Sequence, residues 1–152
     1  MNKFEKDLLV GEKGETIAKQ FLLSSSHTRG FADARSDPYF QNLDIDYLVS
    51  RDDGKIVKYE VKTDTQAHKT GNIAFEMTTS GNVGCLAKSH ADFILYYLSE
   101  TNQMYFFNLE TMKDYISSHT ELEEVKMGDS ATGFLLKINE LKNRNILKEV
   151  YV

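Results

Sequence analysis

The stretch from residue 44 to residue 63 limits this chain's folding choices more than any other. Two alternating segments, residues 44–50 and 56–63, flank Arg51-Asp52-Asp53-Gly54-Lys55. An Asp-Gly pair between alternating segments is a strong hairpin signal. In the second strand Tyr59-Glu60-Val61-Lys62 alternates, so Glu60 and Lys62 project from one face and Tyr59 and Val61 from the other. In the first, Asp44 and Asp46 share a face, with Ile45 and Tyr47 opposite.

Which of these residues meet depends on the turn. A three-residue loop, Asp52-Asp53-Gly54, with glycine in the left-handed position, pairs Arg51 with Lys55 and runs on to Asp46 opposite Glu60 and Asp44 opposite Lys62. Four charges then crowd one patch. A two-residue loop shifts the register by one and puts Asp46 on the face of Val61, separating the carboxylates. Carboxylates directly opposite one another destabilise a sheet unless a cation lies between them, and Mg²⁺, which takes oxygen ligands, is suited to that place.

The rest of the chain supplies the frame. From residue 4 to residue 23 the apolar residues Phe4, Leu8, Ala18, Phe21 and Leu22 fall on one helical arc together with Gly11 and Gly14. The serine run 24–26 ends this helix, and the following stretch to Pro38, with Gly30 and Arg35, reads as a loop. Residues 73–78 read as a third strand, and residues 86–90 as a short helical piece. The unbroken apolar run 93–98 is the pattern of a strand covered on both faces. Further strands are expected at 104–107, 125–127 and 133–138. Asn108 is expected to cap a helix reaching about Ser118, and a closing helix to start near Asn139. The order helix, three strands, helix, strand predicts an α/β fold with a mixed central sheet flanked by helices.

A length of 152 residues fits a single domain over residues 1–152. Hydrophobic residues at 41% and charged residues at 27% exclude a disordered chain or a fibre. Cys85, the one cysteine, cannot form an intrachain disulfide or a thiolate metal site, which fits a reducing, cytoplasmic setting. The N-terminus lacks a signal-like apolar stretch and no segment is long enough to span a bilayer, so neither secretion nor a membrane is expected. The net charge of -5 weighs against a nucleic-acid partner, since affinity for a polyanion comes mostly from Lys and Arg. Carboxylates that hold divalent cations soften this objection, as does local positive charge at Lys55, Lys58, Lys62, Lys69 and Lys88.

On the helical wheel Glu15 lies inside the apolar arc, between Leu8 and Leu22, and is expected to face the interior, where a charge needs a partner. The bland reading is an imperfect helix pattern. Glu12, at the edge of the arc, is read as solvated. Taken together, Gly11-Glu12-Lys13-Gly14-Glu15, Asp44-Ile45-Asp46-Tyr47-Leu48-Val49 and Glu60-Val61-Lys62 resemble the PD-(D/E)xK phosphodiesterase superfamily. That superfamily includes restriction endonucleases, archaeal Holliday junction resolvases and many phage nucleases. The resemblance covers roughly the first hundred residues. It implies a restriction endonuclease-like core and a Mg²⁺-dependent nuclease, with Mn²⁺ as a substitute and DNA as the favoured substrate. Asp46 and Glu60 would be metal ligands, joined by the backbone carbonyl of Val61, with Lys62 as the catalytic lysine and Glu15 as an auxiliary helix carboxylate. Ile45 stands where many members have proline, and Asp44 rivals Asp46 for the ligand position.

In the mechanism that the resemblance implies, one or two cations would polarise the phosphate and lower the pKa of a bound water, while Lys62 would orient that water or stabilise charge on phosphorus. Lys62 also has a plain reading, as an edge-strand lysine that discourages aggregation. His68 and Lys69, after the second strand, and Lys88, before the apolar run, are weaker candidates for phosphate contact. The four histidines, His27, His68, His90 and His119, show no zinc-like spacing. Two other classes stay open. One is a nuclease-fold module that binds nucleic acid or protein without cutting; the other is an acidic DNA mimic, which would spread its carboxylates over one exposed face. A homodimer would suit the cutting of two strands.

Overall fold

Helix α1 (Lys3–Ser24) starts where Asn2 caps it: the Asn2 side chain accepts from the Glu5 N–H at 2.8 Å, and the Glu5 carboxylate accepts from the Asn2 N–H at 2.9 Å. Helix α1 opens the fold of a computed structural model that describes residues 1–152, the side chains of Asn82 and Cys85 excepted. The inference drawn from Cys85 therefore lies outside the described residues. After α1 come β1 (Thr28–Asp33), α2 (Pro38–Asn42), β2 (Tyr47–Arg51), β3 (Ile56–Asp64), α3 (Ala67–Thr70), β4 (Asn72–Thr79), β5 (Asn82–Val83) and α4 (Cys85–Lys88). The second half runs β6 (Phe93–Leu98), β7 (Gln103–Asn108), α5 (Leu109–Ser118), β8 (Val125–Met127), β9 (Ala131–Lys137), α6 (Ile138–Asn143) and β10 (Lys148–Val150).

A six-stranded sheet in the order β1-β2-β3-β6-β7-β10 forms the centre, and a four-stranded sheet, β5-β4-β9-β8, lies beside it. Strands β3 and β6 run parallel and the other neighbours in the central sheet antiparallel, so the expected mixed sheet is present. Its first three strands differ from the expected set. The segment read as a loop contains edge strand β1, whose short alternation is blurred by an irregularity between Thr28 and Gly30. The expected third strand, β4, belongs instead to the second sheet, where it pairs with β9. The chain also closes on a strand: the helix expected from Asn139 stops at Asn143, and β10 then pairs with β7.

Strand β6 shows why its run is apolar throughout. Ile94, Tyr96 and Leu98 pack with Ile73, Phe75 and Leu136 of the second sheet and with Leu109 and Met112 of α5. Leu95 and Tyr97 pack on the opposite face with Ala18 and Leu22 of α1 and with Tyr47, Val49 and Val61. Each such side chain contributes roughly 1.5–3 kcal/mol on burial. Helix α1 comes very close to the sheet at Gly14, where an added Cβ would stand 2.0 Å from Thr63 Oγ1. The arc predicted from Phe4 is buried only in its second half. Gly14, Ala18 and Leu22 are covered, while Phe4 and Leu8 stay 75% and 53% exposed. Among the described residues no helix is long and apolar enough to cross a membrane.

Candidate functional site

The hairpin adopts the longer-loop register. Arg51 N–H donates to the Lys55 carbonyl at 2.8 Å, Gly54 N–H donates to the Arg51 carbonyl at 3.0 Å, and Gly54 has φ +82°. Tyr47 pairs with Tyr59 and Val49 with Val57. Strand β2 begins only at Tyr47, so β3 continues past Tyr59 without a strand on that side. Upstream, Asp46 still bonds to both neighbouring strands, its N–H donating to the Tyr59 carbonyl at 2.8 Å and its carbonyl accepting from Ala34 N–H at 2.8 Å, and the backbone leaves the ladder only at Ile45, whose N–H donates to the Phe40 carbonyl at 3.0 Å. The Asp46 carboxylate itself then takes the Val61 N–H, at 2.7 Å.

The departure from the ladder at Ile45 overturns the expected place of Asp44 opposite Lys62. Its φ of +54° is a left-handed conformation that aspartate tolerates and that no strand contains. Asp44 therefore does not come level with Lys62. Its carboxylate faces Lys88 Nζ at 3.6 Å instead, and it adds negative potential at Glu60.

Glu60 is 3% exposed. Its Oε1 accepts from Lys62 Nζ at 2.8 Å, while Oε2 is buried without a hydrogen-bond partner among the described residues. Glu60 and Lys62 share their face of β3 with their β6 neighbours Ile94 and Tyr96, the face away from α1. Burial pushes the Glu60 carboxyl above its usual range, opposed by the Lys62 ammonium and reinforced by Asp44. Burial likewise raises Asp46; the Val61 N–H opposes this, the charge of Glu15 adds to it, and Lys62 and Arg35 counter it. The buried Ser89 hydroxyl lies beside Glu60 and donates to the Asp44 carbonyl at 3.2 Å.

Glu15 reaches the same end of the sheet from α1, half-buried, with Oε2 accepting from Arg35 Nη1 at 2.6 Å. A cleft of about 240 Å³ lies between Gly11 and Glu15 of α1 and Val61, Lys62 and Thr63 of β3. A second hollow of about 180 Å³ reaches Lys62 from its other side, among Asp64, Glu76 and Tyr96. Lys62 thus lines both. Asp46, Glu60, Lys62 and Glu15 are brought to one end of the β2–β3 pair.

The weaker candidates divide. Lys88 ends α4 and reaches the site through Asp44, whereas His68 and Lys69 occupy the last turn of α3, beyond the end of β3. Arg35 was legible only as part of a loop; no spacing connects it with Glu15, twenty residues upstream. Ser89 had no signal beyond its position before the apolar run.

As donors, Asp46 Oδ1, which takes no hydrogen bond among the described residues, and the unpartnered Glu60 Oε2 fit a hard divalent cation. Among the described residues no three His, Cys, Asp or Glu side chains converge on one point. The Asp46 and Glu60 carboxylates are each oxygen donors of the kind that Mg²⁺ takes alongside water and phosphate.

No protein-family model and no curated protein matches the sequence. Among solved structures, the chain is similar to the bacterial homing endonuclease I-Ssp6803I, with a TM-score of 0.52 and 19% identity over 84% of this chain and 76% of that one. The likeness shows a shared α/β fold.

Proposed function

We propose that this chain is a metal-dependent nuclease of the PD-(D/E)xK type that hydrolyses phosphodiester bonds, with DNA as the favoured substrate. The observation that carries this reading is Glu60: a buried carboxylate with one oxygen on Lys62 and the other without a hydrogen-bond partner among the described residues, close to Asp46 at the point where β2 stops. A buried acceptor of this kind costs stability unless something fills it. The fold it shares with a homing endonuclease supports the reading.

Asp46 and Glu60 would hold Mg²⁺ or Mn²⁺, with the Val61 carbonyl as a further donor and Glu15 as an auxiliary carboxylate. The cation, when bound, supplies Lewis acidity toward the phosphate and a more acidic water. Lys62, 30% exposed at its side chain and opening onto the cleft, is placed to orient that water and to stabilise negative charge developing on phosphorus. The Val61 N–H holds the Asp46 carboxylate in one orientation, so that little reorganisation is needed on binding. Lys88, exposed at the rim, contributes a cation for backbone contact.

The test is cleavage of labelled linear duplex, single-stranded, nicked-circular and four-way-junction DNA with Mg²⁺, Mn²⁺ or EDTA, comparing wild type with Lys62→Ala and Glu60→Ala. Metal-dependent cutting lost in both variants is the expected result. A folded protein that binds the cation yet leaves every substrate intact identifies a non-cutting nuclease-fold module instead.

A further inference from the structure

We infer that Arg35 is a positioning residue that holds Glu15 in place at the cleft between α1 and β3, a role that rests on the cation-binding reading above. The geometry is a brace between three elements. Arg35 Nε donates to Asp33 Oδ1 at 2.9 Å and Nη2 to Asp33 Oδ2 at 2.7 Å, a two-point fork at the end of β1. Its third nitrogen, Nη1, donates to Glu15 Oε2 at 2.6 Å. The guanidinium carbon lies 5.4 Å from the centroid of the Tyr47 ring, and the Tyr47 hydroxyl donates to the Glu15 backbone carbonyl at 2.9 Å. Tyr47 is itself the strand partner of Asp33.

Two physical consequences follow from this brace. Glu15 is a long, partly exposed side chain with many rotamers of its own, and the fork on Asp33 selects the one that points at the site. Glu15 and Asp46 carry like charges that disfavour one another, and a fixed guanidinium between α1 and β1 offsets that repulsion without occupying the Asp46 donor atoms. Each of the three guanidinium nitrogens donates to a carboxylate oxygen, and the one that reaches the site does so through Glu15.

Calorimetric titration of the full chain with Mn²⁺ in a double-mutant cycle of Glu15→Gln and Arg35→Gln tests this coupling. Outer supporting residues of metal ligands typically affect affinity by about 10-fold or more, so Arg35→Gln is expected to weaken Mn²⁺ binding about 10-fold in the wild-type background and not at all in the Glu15→Gln background. Asp33→Asn, which keeps Arg35 but loosens its anchor, is expected to give a smaller loss with the same dependence on Glu15, and it serves if Arg35→Gln does not fold. An equal loss in both backgrounds, or no loss in a protein that binds Mn²⁺, overturns the role of Arg35 and leaves the nuclease reading intact. A wild-type protein that binds no Mn²⁺ overturns the cation-binding reading and this inference with it.

Discussion

The carboxylate of Asp46 accepts the backbone N–H of Val61 at 2.7 Å, filling a position that a β2 carbonyl would occupy if that strand were one turn of the pleat longer. A side chain thus completes the ladder, and a charged group is locked beside Glu60 with one oxygen left over.

Asp46→Asn separates the two jobs of this residue. The amide oxygen still accepts from Val61, while the buried charge and its repulsion with Glu15 disappear. Urea unfolding without divalent cation is expected to show a gain of about 1 kcal/mol, in the range typical of removing a strained functional group. Mn²⁺ added to saturation is expected to stabilise wild type and not the variant, and cleavage is expected to fall by at least about 100-fold.

The pH response follows from the two raised carboxyls. Asp46 and Glu60 have ordinary values of 3.8 and 4.5, and burial lifts both in the folded protein. Between those ordinary values and the raised ones the folded state binds more protons than the unfolded state, so the stability of the cation-free protein declines as pH rises through that window. In the proposed function Mn²⁺ binds the two carboxylates in their ionised form, so its affinity is expected to rise over the same window. Urea midpoints and calorimetry from about pH 4 to about pH 8 check both slopes; parallel slopes would contradict the assignment.

Lys62 and Glu60 are joined at 2.8 Å yet are expected to fail differently. Lys62→Ala removes the lysine proposed to stabilise charge on phosphorus and is expected to lower cleavage by about 100-fold or more while leaving Mn²⁺ affinity at about pH 8 within a few-fold. Glu60→Ala is expected to lose both. Paired titrations and single-turnover cleavage separate the two outcomes.

Gly14→Ala is expected to cost about 2–3 kcal/mol, the usual range for overpacking a tight contact. The added methyl meets Thr63 Oγ1 at 2.0 Å, and Thr63 Cβ and Tyr97 Cδ1 at 3.3 and 3.2 Å. Thr63→Ala in the same chain is expected to recover part of the loss, measured by urea denaturation. Because Gly14 precedes Glu15, the single variant also displaces the helix carboxylate from β3, and Mn²⁺ affinity is expected to drop with stability.

The local pattern carried the centre of this molecule. The Asp-Gly turn and the alternation of residues 56–63 determined the hairpin register, and the register determined that Asp46 stands near Glu60. The apolar run of β6 announced burial on both faces, because both faces are in fact covered. These features depend on neighbours close in sequence or on one strand's own periodicity, which a linear reading can follow.

Tertiary structure decided the rest. An edge strand as irregular as β1 has little periodicity of its own and is held by pairing to β2. Sheet membership depends on partners: β4 looks like any other strand, and β9, more than fifty residues later, draws it out of the central sheet. The left-handed turn at Asp44 goes with backbone bonds from Asp44 N–H to Gln41 and from Ile45 N–H to Phe40, so alternation misplaced that aspartate. Arg35 is the clearest case. Its charge was visible in the sequence, but its meeting with Glu15 exists only because Gly14 lets α1 lie against β3 and because β1 pairs beside β2. Sequence determined which groups can do chemistry; packing of distant segments decided which of them stand together.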